Sequence, residues 1–90
     1  MKFQLAENVG RVQLEQGGAI LLDERTGKYL QLNASGNAVL RAMLNGESTR
    51  TIVENLSSGI DASMDRVTAD VEEFVAAMRK KGLIRLASDV

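Results

Sequence analysis

The sequence predicts an α+β domain in which a three-stranded antiparallel sheet is followed by three helices. Glycines sit at turn spacing between short apolar runs in the first third of the chain, at Gly17-Gly18 and Gly27. Residues 63–81 repeat apolar side chains every three and four positions, the period of a helix with one buried face. No low-complexity run, internal repeat or linker-like stretch separates the two halves, so both belong to one domain over residues 1–90 with its core at about 9–86. A chain of 90 residues buries roughly 60–65% of the surface its unfolded form exposes, enough to fold alone with little stability in reserve.

The strands are expected at Val9–Glu15, Ala19–Glu24 and Lys28–Asn33, with Lys2 to Leu5 either a further short strand or a free arm. Glu24-Arg25-Thr26-Gly27-Lys28 suits a three-residue hairpin loop with glycine in the left-handed conformation. That loop pairs Glu24 with Lys28, Leu22 with Leu30 and Ile20 with Leu32, all on one face. A three-residue turn at Gln16-Gly17-Gly18 extends the same face through Leu14 and Val12. A two-residue Gly17-Gly18 turn would set Leu14 against Leu21 and divide the apolar face, so the first reading is preferred.

Ser35 is expected to cap a first helix to about Leu44, burying Ala38, Val39, Ala42 and Met43, with Asn45-Gly46 as its stop. Ser48 or Thr49 opens a short second helix with Ile52, Val53 and Leu56 inward, ended by Ser57-Ser58-Gly59. Ser63 caps the longest helix, which runs to about Lys81. Its acidic start, its basic end (Arg79, Lys80, Lys81) and the following Gly82 suit the helix dipole and C-cap rules. Met64, Val67, Val71, Phe74 and Met78 form its apolar stripe. Leu83-Ile84-Arg85-Leu86 is expected to pack back on the sheet.

Composition narrows the chemistry. The chain has no cysteine and no histidine, and its formal net charge is −1. Disulfides, thiolate nucleophiles, zinc–thiolate sites, triads and Cys–His dyads are therefore excluded. Catalysis would need a carboxylate pair, a tuned lysine or a Ser–Lys pair, and no such pair is marked out by spacing, so the chain reads as non-catalytic. There is no run of ~18 apolar residues, and no basic segment leading into an apolar one at the start, which points to the cytoplasm.

Three strands cannot sandwich themselves. The long helix is expected to cross their apolar face, giving a winged helix-turn-helix-like layout. In a meander the third strand keeps one unpaired row of backbone donors and acceptors, which invites another chain. Lys28–Asn33 carries a lysine at its start and no proline within it.

The run Leu21-Leu22-Asp23-Glu24-Arg25-Thr26-Gly27-Lys28-Tyr29-Leu30-Gln31-Leu32-Asn33, continued through Ser35-Gly36, resembles the core signature of PqqD-like domains. Gly46-Glu47-Ser48, Asp70-Val71 with Phe74, and Gly82-Leu83-Ile84 follow the same pattern. The ordered set, more than any one motif, carries the resemblance, which covers about residues 9–86. The chain departs from the family at Ala34, often proline, and near Leu40, often tryptophan.

The family comprises recognition elements for ribosomally synthesised, post-translationally modified peptides. The resemblance implies a protein that grips the leader segment of a precursor peptide and presents it to modifying enzymes, with no cofactor. It is nearest the free-standing members of lasso-peptide pathways, whose partners are a leader-cleaving cysteine protease and an ATP-dependent cyclase; a peptide chaperone of another such pathway is the alternative. The implied mechanism is addition of the leader as a strand to 28–33 against helix 63–81. The expected binding residues are Lys28, Tyr29, Leu30, Gln31, Leu32 and Asn33 on the strand, and Val67, Asp70, Val71, Phe74 and Met78 on the helix.

Plainer roles compete for several of these. Leu30 and Leu32 are core residues on any reading, Tyr29 can be a solvated strand aromatic, and Arg79-Lys80-Lys81 reads as a solvated helix end. A DNA-binding winged helix would need a basic recognition helix, yet Asp65, Asp70, Glu72 and Glu73 fill the half that reads bases. A subunit that only scaffolds an enzyme would bind its partner regardless of the precursor.

Overall fold

A computed structural model describes residues 2–57 and 63–86. Its elements are β1 (Phe3–Leu5), β2 (Val9–Gln13), β3 (Ala19–Asp23), β4 (Tyr29–Leu32), α1 (Ala34–Leu44), α2 (Thr49–Ser57), α3 (Met64–Lys80) and β5 (Ile84–Leu86). Strands β2, β3 and β4 form the antiparallel meander the sequence predicts, so the fold class is as expected. The stop expected at Ser58-Gly59 lies outside the described residues.

Both hairpin registers differ from expectation: the first slips by two residues, which keeps its facing, and the second by one, which turns β3 over relative to β4. Leu21 pairs with Leu30 and Leu22 with Tyr29, rather than Leu22 with Leu30. The loop holds four residues, because Asp23 and not Glu24 closes it. The Asp23 N–H donates to the Lys28 carbonyl, and the Gly27 N–H donates back to the Asp23 carbonyl, both at 2.8 Å. Gly27 takes φ +75° there, which a side chain would resist.

The first turn is three residues long as expected, but it is Glu15-Gln16-Gly17. The Leu14 N–H donates to the Gly18 carbonyl at 2.8 Å, and Gly17 supplies the left-handed corner at φ +99°. Ala19, Leu21 and Asp23 therefore face the core, and Val12 and Leu22 face outward. Ile20 shares their outer face and is half-buried. Gly18 belongs to the strand side of the turn because a Cβ there would overlap the Leu32 carbonyl.

Helix α1 starts two residues earlier than expected. Asn33 caps it, its Oδ1 accepting from the Gly36 N–H at 2.8 Å, and Ser35 is exposed. Val39, Leu40 and Met43 are buried, while Ala38 points outward and Asn37 takes an inner position. The Asn37 amide donates to Gly17 O at 2.8 Å and to Gln13 Oε1 at 3.0 Å, tying α1 to the first hairpin turn. Ser48 receives the Thr51 N–H at the start of α2, and Ser63 receives the Arg66 N–H at the start of α3. Gly46 and Gly82 follow α1 and α3 in left-handed conformation, as their C-cap roles require.

One buried cluster joins the layers: Leu21 and Leu32 from the sheet, Val39, Leu40 and Met43 from α1, Ile52 and Val53 from α2, Val67, Val71 and Met78 from α3. Met64, expected on the stripe of α3, is exposed. α3 packs most extensively on α2 and also against β5, while α1 lies against β1 and β4. Through that cluster Val67, Val71 and Met78 of the long helix meet Leu21 and Leu32 of the meander. The last segment packs Leu83 and Ile84 into the core with Leu21 and Leu32, but among the described residues it forms no ladder with the meander. β5 pairs with β1 as a separate antiparallel ribbon, Leu5 opposite Ile84 and Phe3 opposite Leu86. The N-terminal arm is therefore a strand, because Leu83 and Ile84 are buried and Phe3 and Leu5 pack against the same core.

These contacts separate two kinds of glycine. Gly27→Ala meets open space and is expected to cost about 1 kcal/mol through its left-handed backbone alone. Gly18→Ala drives a methyl into β4 and is expected to cost more, about 2–3 kcal/mol. Urea unfolding of the two variants checks the order.

Candidate functional site

The outer edge of β4 follows from the hydrogen bond at its start. In antiparallel pairs hydrogen-bonded and non-bonded residue pairs alternate. Since Asp23 and Lys28 form a bonded pair, Leu21–Leu30 and Ala19–Leu32 are bonded too, and Leu22–Tyr29 and Ile20–Gln31 are not. The N–H and C=O of Tyr29 and Gln31 therefore point away from β3. Among the described residues no strand pairs with that edge.

Where β4 leads into α1, a gap lies between α1, α2 and α3. It opens as a concavity of about 330 Å³ lined by Gly36, Val39, Leu56, Val67, Val71 and Phe74, with Ser35 and Asp70 at its rim. The middle of the groove is tight. A Cβ added to Gly36 would lie 3.6 Å from both the Leu32 Cβ and the Phe74 ring, so the glycine lets β4 and α3 approach across the start of α1. A second concavity of about 320 Å³ lies at the other end of β4, lined by Asp23, Thr26, Lys28, Tyr29, Leu30, Lys81 and Leu83. The strand and α3 run in opposite senses, since the start of β4 meets the end of α3.

The predicted residues divide between these features. Val67, Asp70, Val71 and Phe74 come together at the first concavity, and Lys28, Tyr29 and Leu30 at the second. Leu32 is buried beneath the groove, and Asn33 is committed to capping α1. Tyr29 projects its ring from the outer face of the sheet, 73% exposed, and Gln31 lies on that face too. Met78 is 1% exposed and packs in the core rather than opening to the groove. Asp70 is exposed and lies 3.9 Å from Arg66 on the preceding turn, a solvated i,i+4 pair of little energetic weight.

Gly36, Val39, Leu56 and Lys81 were not singled out as site residues by sequence reasoning. A glycine in the first turn of a helix, where it weakens the helix, is the one signal that marks a close approach there.

Asp23 anchors the far end of the site. Its Oδ1 accepts from the Asn8 side-chain amide at 2.6 Å and from the Arg25 N–H at 3.0 Å, with the Arg25 guanidinium 3.8 Å away. Burial opposes ionisation of this carboxyl. The Asn8 and Arg25 hydrogen bonds, the Arg25 charge and the Thr26 N–H outweigh that opposition and hold its pKa below the ordinary 3.8.

The profile of the PqqD family, described as coenzyme PQQ synthesis protein D, matches residues 18–84. The chain belongs to the PqqD family. Two solved structures share its fold. A lasso peptide synthetase B1 complexed with the leader peptide superimposes with a TM-score of 0.86 at 24% identity, over 96% of this chain and 100% of that one. TbiB1 in complex with the TbiA(beta) leader peptide superimposes with a TM-score of 0.80 at 24% identity, over 99% of this chain and 100% of that one. No curated protein matches the sequence significantly. Membership of the PqqD family agrees with the resemblance carried by residues 21–33, and the matched span includes β3, β4 and all three helices.

The Asp23 contacts carry a pH signature in this PqqD-family chain. A carboxyl whose pKa is lowered on folding contributes stability that is complete above its unfolded value and is lost as pH falls through the folded one. Acid titration of unfolding should therefore show a loss below about pH 4 that is smaller in Asp23→Asn, which keeps an acceptor but no charge.

Proposed function

We propose that this PqqD-family chain is a non-catalytic recognition element that binds the leader segment of a ribosomally synthesised precursor peptide. The leader adds as a fourth strand to the outer edge of β4, and apolar leader side chains enter the concavity at Phe74. The observation that carries this reading is the outward row of Tyr29 and Gln31 backbone groups, with an apolar gap at Phe74 where the strand leads into α1. Main-chain bonds supply affinity with little sequence preference, and pockets for alternate side chains supply selection. Both structural neighbours were solved with leader peptides, which supports the same occupant here.

The contacts proposed are the backbone of Lys28–Asn33 and the side chains of Leu30, Val67, Asp70, Val71 and Phe74. Ordering a flexible leader costs about 2–5 kcal/mol of the gross interaction energy, so one or two apolar anchors dominate the affinity. The whole chain acts as one peptide-binding domain in lasso-peptide biosynthesis in the cytoplasm. It presents the leader to a cysteine protease that cleaves it and to an ATP-dependent cyclase. Among the described residues no helix is long and apolar enough to cross a membrane, in keeping with such a role. The acidic N-terminal half of α3 disfavours binding to DNA phosphates.

A fluorescein-labelled synthetic leader of the co-encoded precursor should bind the purified domain saturably, read by anisotropy, without metal or nucleotide. Gln31→Pro removes an amide that β3 does not use. It should leave the circular dichroism spectrum intact while weakening binding at least about ten-fold, some 1.4 kcal/mol. Gln31→Ala keeps the N–H and should bind like the parent. A folded Gln31→Pro variant with undiminished affinity would sink the strand-addition mechanism.

A further inference from the structure

The two concavities at the ends of β4 differ in charge. At the first, apolar residues surround Phe74 and the one charged group at the rim is Asp70. At the second, Lys28 and Lys81 share the lining with Leu30 and Leu83. Arg25 also reaches this corner, since a Cβ at Gly82 would lie 3.8 Å from its Nη2. The acid in this concavity is Asp23, whose Oδ1 is already held by Asn8 and the Arg25 N–H. Among the described residues no carboxylate lies within ion-pair distance of either Lys28 or Lys81. Two lysines without a carboxylate partner, one just before β4 and one at the C-cap of α3, thus line a single cavity.

Two element geometries set how far this corner lies from the apolar end. Phe74 and Lys81 are separated by two helical turns on one face of α3, about 10 Å along the axis. Lys28, which immediately precedes β4, and Leu32 at its end are about 13 Å apart along the extended chain and alternate to the same face. An extended guest covers that span in about four residues, and alternation returns a side chain to the same face at the fourth.

We propose that the Lys28–Lys81 corner is a carboxylate subsite of the groove. It takes an Asp or Glu side chain of the bound peptide about four positions C-terminal to the apolar residue seated against Phe74. The direction follows from antiparallel pairing, slightly the more stable, which brings the guest's C-terminal part beside Lys28. Asp70 reinforces it, because a peptide bound in the opposite sense would carry its acid to that carboxylate. The subsite therefore sets register and polarity along an edge whose backbone bonds alone would accept either. This inference rests on the reading of the groove as a peptide site.

Phage-displayed random dodecamers panned against the parent domain and against a Lys28→Glu/Lys81→Glu double variant test it. The parent should enrich sequences with an apolar anchor and an acid about four residues C-terminal to it. The double variant should enrich Lys or Arg at that position instead. A synthetic peptide of the parent consensus should bind the double variant about ten-fold more weakly or worse, and Lys28→Gln or Lys81→Gln about three-fold more weakly. The gaps should narrow in about 0.5 M salt. Both lysines are exposed, and circular dichroism of each variant verifies the fold. Apolar-anchored peptides with no acidic preference, or the same preference from parent and double variant, would overturn the subsite and leave the peptide site standing. Recovery of no binding sequence from the parent would overturn the peptide site, and the subsite with it.

Discussion

A carboxylate that accepts from N–H groups at the end of a strand fixes where the hairpin turns, and in this chain that carboxylate is Asp23. Asn8 reaches it from the loop before β2, and the Arg25 N–H reaches it from within the loop it closes. The Glu24 N–H donates to the Asn8 carbonyl at 2.8 Å, so the same corner joins three segments of chain. With Asp23 opposite Lys28, every pairing along β3 and β4 is determined. That register buries Ala19 and Leu21, and it leaves the Tyr29 and Gln31 amides facing out. Competition over this register was real. Burying Ile20 in place of Ala19 would be worth about 2 kcal/mol of apolar transfer. The closed Asp23 loop, and the close passage of Gly18 beneath Leu32, prevail over it.

That competition explains which parts of the fold were legible in the sequence. The number, order and type of the main elements followed from glycine spacing and helical period. Those signals are local, and they agree with the final packing. Strand facing was misread because Ile20-Leu21-Leu22 is apolar on both faces, so alternation had no contrast to work with. The deciding information lay in Asp23 and Asn8, fifteen positions apart, and such a pairing has no local signature. Asn37 was missed for a related reason. A polar residue among apolar ones on a helix reads as solvated until the hairpin turn that it reaches is in place.

The candidate site was legible in a different proportion. Its helix wall at Val67, Val71 and Phe74 came from periodicity, and the strand wall from the edge of a meander. Met78 belongs to the same period yet is fully buried, since a stripe wide enough to line a groove on one side must pack on the other. The remaining wall, Gly36, Val39 and Leu56, depends on where α1 and α2 sit relative to α3. That arrangement is set by the packing of α3 on α2 and of α1 on β4. The gap that could hold a guest is thus a product of tertiary packing, and its edge a product of one loop.

The ribbon of β1 and β5 has a consequence of another kind. It joins residues about 80 positions apart, whereas the two hairpins and the α2–α3 pair close over much shorter stretches. Closing so long a loop is entropically unfavourable until the intervening chain is already compact. The hairpins and helices therefore assemble first, and the clasp between the two ends of the described chain is the last contact made. What it contributes falls on the time the native state survives rather than on the time it takes to form.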